Sequence, residues 1–219
     1  YKTKHEAKAI LAGNSECNGM GFDHFYWFEA GKRAQEHMWD ATHDTEAFVA
    51  ANDDMIAVVF RGTKEIADWA TNLKLLQMKC PVEWNIPDVD DGLHEGFNEA
   101  VSTVWEATPS MRETIKNLCK EEGKKRKLYI TGHSLGGALA TVAAARLHYV
   151  DKVDIAAMYT FGSPRVFNKK LASFFDTSVN CGATLKKKYF RCRNNNDVVP
   201  RVPIAPYTHV GTEIYVDRL

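Results

Sequence analysis

The chain has 219 residues with 28 acidic and 28 basic side chains, a balance that gives no net field for holding nucleic acid or an anionic membrane. That length suits one domain, residues 1–219, able to bury a core without metal or disulfide staples, and no apolar stretch is long enough to span a bilayer. Five cysteines (Cys17, Cys80, Cys119, Cys181, Cys192) leave at least one unpaired and do not decide the compartment.

The chain starts at Tyr1 with neither an initiator methionine nor a signal-type apolar segment, as a processed or excised form would. Lys2 to Leu11 reads as a short helix, and Phe25 to Trp39 as an aromatic-rich one packed on the body. Ala47 to Ala51 and Met55 to Phe60 are strand-like runs around the polar turn Asn52-Asp-Asp54, which is a hairpin signal. Helical periodicity follows Arg61-Gly-Thr63, with apolar residues at Ile66, Trp69, Leu73 and Leu76. Pro81 to Asp91 reads as a loop, and Gly96 to Ala107 and Ser110 to Glu122 as helices. Cys119 falls on the apolar face of the second helix with Met111, Ile115 and Leu118, where a buried free thiol is expected. Cys181 and Cys192 can pair only if the loop and strand that hold them fold back together.

Lys127 to Thr131 is a further strand, and a helix of small residues runs on from Leu139 to Leu147. Ile155 to Phe161 is the next strand, Lys169 to Phe175 a short helix, and Lys188 to Arg193 another strand. Strands alternating with helices predict an α/β fold with a largely parallel sheet, and the leading hairpin predicts a mixed edge. There is no repeat, linker or domain boundary.

The most informative stretch is Gly132-His-Ser-Leu-Gly-Gly-Ala-Leu-Ala140, where the strand ends abruptly and the small-residue helix begins at once. In that setting a G-x-S-x-G pattern is a nucleophile elbow, a turn so tight that side chains at Gly132 and Gly136 would collide. Ser134 would then stand at the rim of the sheet, above a helix N-terminus whose free N–H groups, Leu135's among them, favour an oxyanion. A triad acid should follow a later strand, and Asp197, just past Arg193, fits, although its position suits an ordinary turn aspartate equally well. The second oxyanion donor should come from the loop after an earlier strand, which places Thr63 there. The Ile66–Trp69–Leu73–Leu76 stripe suits either core packing or a lid over the serine.

Several segments together resemble the class 3, fungal-type lipases of the α/β-hydrolase superfamily. They are Val58-Val-Phe-Arg-Gly-Thr63 with Asp68-Trp69, His94-Glu-Gly-Phe97, Ile130 to Ala140, Thr160-Phe-Gly-Ser-Pro-Arg165 and Asn196-Asp-Val-Val-Pro-Arg-Val-Pro203. The resemblance runs from Phe48 to the end of the chain. It implies an α/β-hydrolase fold with Ser134 as nucleophile, Asp197 as triad acid, Thr63 and Leu135 at the oxyanion hole and the Trp69 helix as lid. His94 and His133 become scaffold residues by the same resemblance. Val166-Phe-Asn168 departs from the family pattern, which has a glycine before the asparagine.

The general base is harder to place. Chain order excludes His5, His24, His37, His43, His94 and His148, and His133 is fixed inside the elbow. His209 alone follows Asp197, so spacing elects it. The resemblance instead makes Tyr207 to Tyr215 the start of a late strand and puts the base beyond Leu219, in a continuation of the chain. The expected activity is therefore a serine carboxylic-ester hydrolase acting on lipid esters at an interface, through an acyl-enzyme and with no metal or organic cofactor. The alternatives are a phospholipase, galactolipase or feruloyl-type esterase, or a non-catalytic interaction protein built on the same fold.

Overall fold

The computed structural model describes residues 4–13, 21–30, 45–63, 77–84, 86 and 91–217. A seven-stranded sheet runs through them in the order β1 (His24–Glu29), β2 (Glu46–Ala51), β3 (Met55–Phe60), β6 (Lys127–His133), β7 (Ile155–Phe161), β11 (Tyr189–Asn194) and β13 (Thr212–Val216). The β1–β2 and β2–β3 pairs are antiparallel, and every pair from β3 to β13 is parallel. The expected mixed edge is thus present. Its hairpin turns where Asn52 Oδ1 accepts from the N–H groups of Asp54 and Met55, a local bond that competes with continued extension.

The strand β1 corrects the helix expected over Phe25 to Trp39. Residues 24–29 form a strand paired with β2, and residues 31–39 lie outside the described set. Aromatic side chains suit a pleated surface, and here Phe25 stacks on Phe48 across the pair with ring centroids 5.3 Å apart. A second sheet, absent from the sequence reading, joins β4 (Gln77–Lys79), β5 (Asp91–His94), β8 (Phe167–Asn168) and β12 (Tyr207–Thr208) in antiparallel fashion. These strands are two to four residues long, too short to show an alternation. A two-stranded ribbon, β9 (Val179–Asn180) with β10 (Ala183–Thr184), completes the strands.

The helices are α1 (Lys4–Gly13), α2 (Glu95–Trp105), α3 (Met111–Lys120), α4 (Leu135–Tyr149), α5 (Lys169–Thr177) and the short α6 (Leu185–Lys188). Ser110 caps α3 by accepting from the Glu113 N–H at 3.2 Å, which satisfies one of the helix's free donors. On one face of the sheet, a core of Ile56, Val58, Phe60, Leu128, Ile130 and Met158 packs with Phe97, Val101, Leu139 and Val142 of α2 and α4. The alanine-rich α4 is buried almost all round, so its small side chains let it lie close on the strands. Ala7 of α1 packs with Phe48 and Ala50 on the opposite face. Cys119 is half-buried, and burial pushes its thiol up to about 11, in line with a free buried cysteine. Cys181 and Cys192 are both free.

Candidate active site

The parallel register sets Phe60 opposite Gly132 and His133 opposite Phe161, so the C-terminal ends of β3, β6 and β7 meet along one edge. There the chain turns from β6 into α4 through a single residue, Ser134, with φ 54° and ψ −126°. A non-glycine residue in that region costs on the order of 1–3 kcal/mol, which the surroundings must hold in place. The glycines show why the turn exists. A Cβ on Gly132 would lie 2.2 Å from the Gly136 carbonyl oxygen, and one on Gly136 would lie 2.3 Å from the Phe60 carbonyl oxygen. The Ser134 N–H donates to Phe161 O at 2.8 Å, and its own carbonyl accepts from the Gly137 N–H at 2.9 Å. Its hydroxyl is buried and has no hydrogen-bond partner among the described residues.

Above the elbow runs Arg61-Gly-Thr63. A Cβ on Gly62 would fall 2.5 Å from His133 O and 3.5 Å from Ser134 Cβ, so the loop touches the turn directly. Arg61 is buried, its N–H donates to Glu46 O at 2.9 Å, and its guanidinium pairs with the Glu46 carboxylate. These bonds anchor the loop to β2, and Thr63, the residue after Gly62, is half-buried. Leu135, buried, opens α4, and the N–H of a first helical residue has no partner inside its own helix. A positive helix end and a backbone loop thus flank one hydroxyl.

Asp197 follows β11 in a turn closed by its N–H to Asn194 O at 3.2 Å. One carboxylate oxygen accepts from the Val199 N–H at 3.0 Å. The other lies 2.4 Å from where Gly162 would carry a Cβ, and that same point is 3.7 Å from His133 Nε2. Gly162, at φ +58°, is the bend at the end of β7 that admits the carboxylate, and its N–H donates to Cys192 O at 3.0 Å. The acid therefore stands at the same sheet edge as the serine, with β7 between their two strands. The loop beyond it is pinned by Arg165, whose guanidinium donates to the carbonyls of Arg201 and Pro203 at 2.9 Å each. Phe161 and Gly162 carry no functional group, and their only signal in the sequence was the Thr160-Phe-Gly-Ser-Pro segment.

His209 is placed differently. Its Nε2 lies 2.6 Å from Pro200 O, and a carbonyl can only accept, so that nitrogen carries the proton. Burial, followed by the repulsion of Arg191, lowers its pKa from 6.5 to about 4, which keeps the ring neutral. The nitrogen a triad would turn toward the serine is thus engaged elsewhere. His94 is fully buried, stacked on Phe97 at 4.2 Å and tilted against Tyr207 at 5.3 Å, as a scaffold residue would be. Ile66, Trp69, Leu73 and Leu76 lie outside the described residues. Among the described residues, no group of three His, Cys, Asp or Glu side chains could hold a metal ion, and no helix is long and apolar enough to cross a membrane.

A mostly parallel sheet, helices on both faces and a serine on a positive-φ turn from strand to helix define an α/β-hydrolase. The profile of the lipases of class 3 matches residues 57–207, and the chain belongs to that family. It is similar to a secreted mono- and diacylglycerol lipase 1 of Fusarium solani, 34% identical over 176 residues, which are 78% of this chain and 47% of that protein. It is also 29% identical to a phospholipase A1-II 1 of Oryza sativa over 174 residues, 74% of this chain and 43% of the other. Among solved structures, it superposes at a TM-score of 0.60 and 28% identity on a triacylglycerol lipase whose catalytic centre is described as a serine protease triad. That match covers 78% of this chain and 62% of the other. The chain spans about half the length of the first of these relatives, and less of the second.

Proposed function

We propose that the protein is a serine-dependent carboxylic-ester hydrolase that releases fatty acids from acylglycerols at a lipid–water interface. The observation that carries this is the Ser134 hydroxyl, buried and unpartnered among the described residues, on a strained turn beside the Gly62–Thr63 loop and the N-terminus of α4. Ser134 attacks the ester carbonyl while an imidazole takes its proton. The N–H groups of Thr63 and Leu135 hold the oxyanion of the tetrahedral intermediate. Collapse expels the alcohol and leaves an acyl-serine, which water hydrolyses through the same base. Asp197 orients that base and stabilises its imidazolium.

No described imidazole is hydrogen-bonded to Ser134, and His209 is turned to Pro200. The base in this proposal is a histidine downstream of Leu219, with His209 the second choice. The stripe Ile66, Trp69, Leu73 and Leu76, outside the described residues, is proposed from the sequence alone as the segment that acts as a lid and meets lipid.

A phospholipase A1 activity is the second reading, favoured by the similarity to the rice protein of that name. Product analysis separates the two. The full-length protein is offered emulsified triacylglycerol and phosphatidylcholine vesicles in parallel, and products are resolved by chromatography. Free fatty acid with diacylglycerol from the first substrate supports the lipase; lysophospholipid as the faster product supports the phospholipase. Hydrolysis of neither would defeat both.

A further inference from the structure

Behind the elbow, three buried hydroxyls lie in contact, and the buried Ser163 side chain also reaches the central one, that of Tyr189. Tyr189, the first residue of β11, has its hydroxyl 2.9 Å from Thr141 Oγ1 on α4 and 3.0 Å from Thr160 Oγ1 on β7. Thr141 Oγ1 in turn lies 2.8 Å from the Gly137 carbonyl oxygen. All three side chains are buried.

The protons in this group can be assigned from one fact. The Gly137 carbonyl only accepts, so the single proton of Thr141 points to it. Thr141 must then accept from Tyr189, which uses that tyrosine's only proton, and Thr160 must donate to Tyr189. The result is a one-way chain from the Thr160 hydroxyl through Tyr189 and Thr141 to Gly137 O. Each link polarises the next, and burial away from water makes each one costly to break.

The two ends of the chain sit beside the two bonds that hold the nucleophile. Gly137, at one end, donates its N–H to the Ser134 carbonyl at 2.9 Å. Thr160, at the other, immediately precedes Phe161, whose carbonyl accepts the Ser134 N–H at 2.8 Å. Gly137 is also packed so tightly that a Cβ there would meet Ser163 Cβ at 2.7 Å, and Ser163 follows Gly162 on the strand side. The strand end and the helix start therefore approach each other as closely as glycine allows.

We propose that Tyr189 is a positioning residue for the nucleophile elbow: its hydroxyl, clamped between Thr160 and Thr141, fixes the end of β7 against the first turn of α4 and so fixes Ser134 between them. The role rests on Ser134 being the nucleophile. Because Tyr189 opens the same strand that Asp197 follows, it also ties the acid's strand to the serine's turn.

The test uses the full-length protein with Tyr189→Phe, which keeps the ring and removes the hydroxyl, and Thr160→Val, which removes the first donor while keeping a β-branched shape. Each is titrated with a fluorophosphonate, whose final extent counts competent sites and whose rate reports the reactivity of each. The expected result is an unchanged count with the rate per site, and kcat on a soluble ester, lowered on the order of ten-fold and KM little changed, since small misplacements of a reacting group carry penalties of this size. Thr160→Val should reproduce the loss, and the double variant should be no worse than either alone, because both break one chain. A wild-type rate per site in Tyr189→Phe, whatever its melting temperature or site count, would overturn the role and leave the hydroxyls as ordinary core bonds. Labelling that persists in Ser134→Ala would instead overturn the nucleophile, and the positioning role with it.

Discussion

Replacing Gly62 by alanine should disable the oxyanion hole while leaving the fold intact. The added Cβ would lie 2.5 Å from the His133 carbonyl oxygen, where ordinary contact begins at 3.4 Å, so one of the two must retreat by about 0.9 Å. His133 belongs to β6, paired in register with Phe161 of β7, and has little freedom to move. Arg61 and Glu46 tie the loop to β2 from its outer side, so the loop gives way and carries Thr63 off the serine. Losing one oxyanion donor costs about 2.7–4 kcal/mol of transition-state stabilisation, roughly 10²–10³ in kcat. KM on a soluble short-chain ester should change little, because the donor acts on charge that develops only in the transition state. The assay is steady-state hydrolysis of such an ester, with thermal unfolding as a check on folding. A kcat within about three-fold of wild type, less than 1 kcal/mol by transition-state arithmetic, would refute the placement of the loop over the elbow.

Asp197→Asn should fold normally, because an amide oxygen can still accept the Val199 N–H, yet turnover should drop by about 10⁴ through a misoriented base. Near-normal turnover would make Asp197 a turn residue only. His209→Gln should leave ester turnover intact and blunt the acid sensitivity of the fold. The pKa of His209 is lowered from 6.5 to about 4 on folding, so the unfolded chain binds the extra proton in that window. Stability is therefore full above the higher value and declines as pH falls toward the lower one, which melting curves across that range would record. For the proposed lid, hydrolysis of a short-chain ester should jump above its solubility limit, and Trp69→Ala should shrink the jump more than it shrinks activity on dissolved substrate. A smooth rise that ignores Trp69 would favour a plain esterase.

The elbow was legible because its demands are local. A strand that must turn into a helix within one residue requires glycine on both sides, and the spacing of Gly132, Ser134 and Gly136 states that directly. Among the described residues, the main strands from Met55 onward and the helices α2, α3 and α5 were legible for a related reason, since each is long enough to show an apolar run or face. The strand β1 was misread because its aromatic residues fill a pleated surface as readily as a helix face, and only pairing with β2 decides between them. The second sheet was invisible because strands of two to four residues have no period at all. Asp197 was legible as a candidate and no more. What turns its carboxylate toward the serine's edge is the bend at Gly162, a contact between residues far apart in the chain. His209 was elected by chain order, but its orientation is decided by the Pro200 carbonyl, which no spacing rule contains.

The most direct measurement is the site of covalent attack. Full-length protein is treated with a fluorophosphonate, digested, and the modified peptide sequenced by mass spectrometry. Ser134 should carry the adduct alone, with Ser134→Ala unlabelled and inactive on lipid esters. An adduct on a different serine, or lipid-ester hydrolysis that survives Ser134→Ala, would contradict the account.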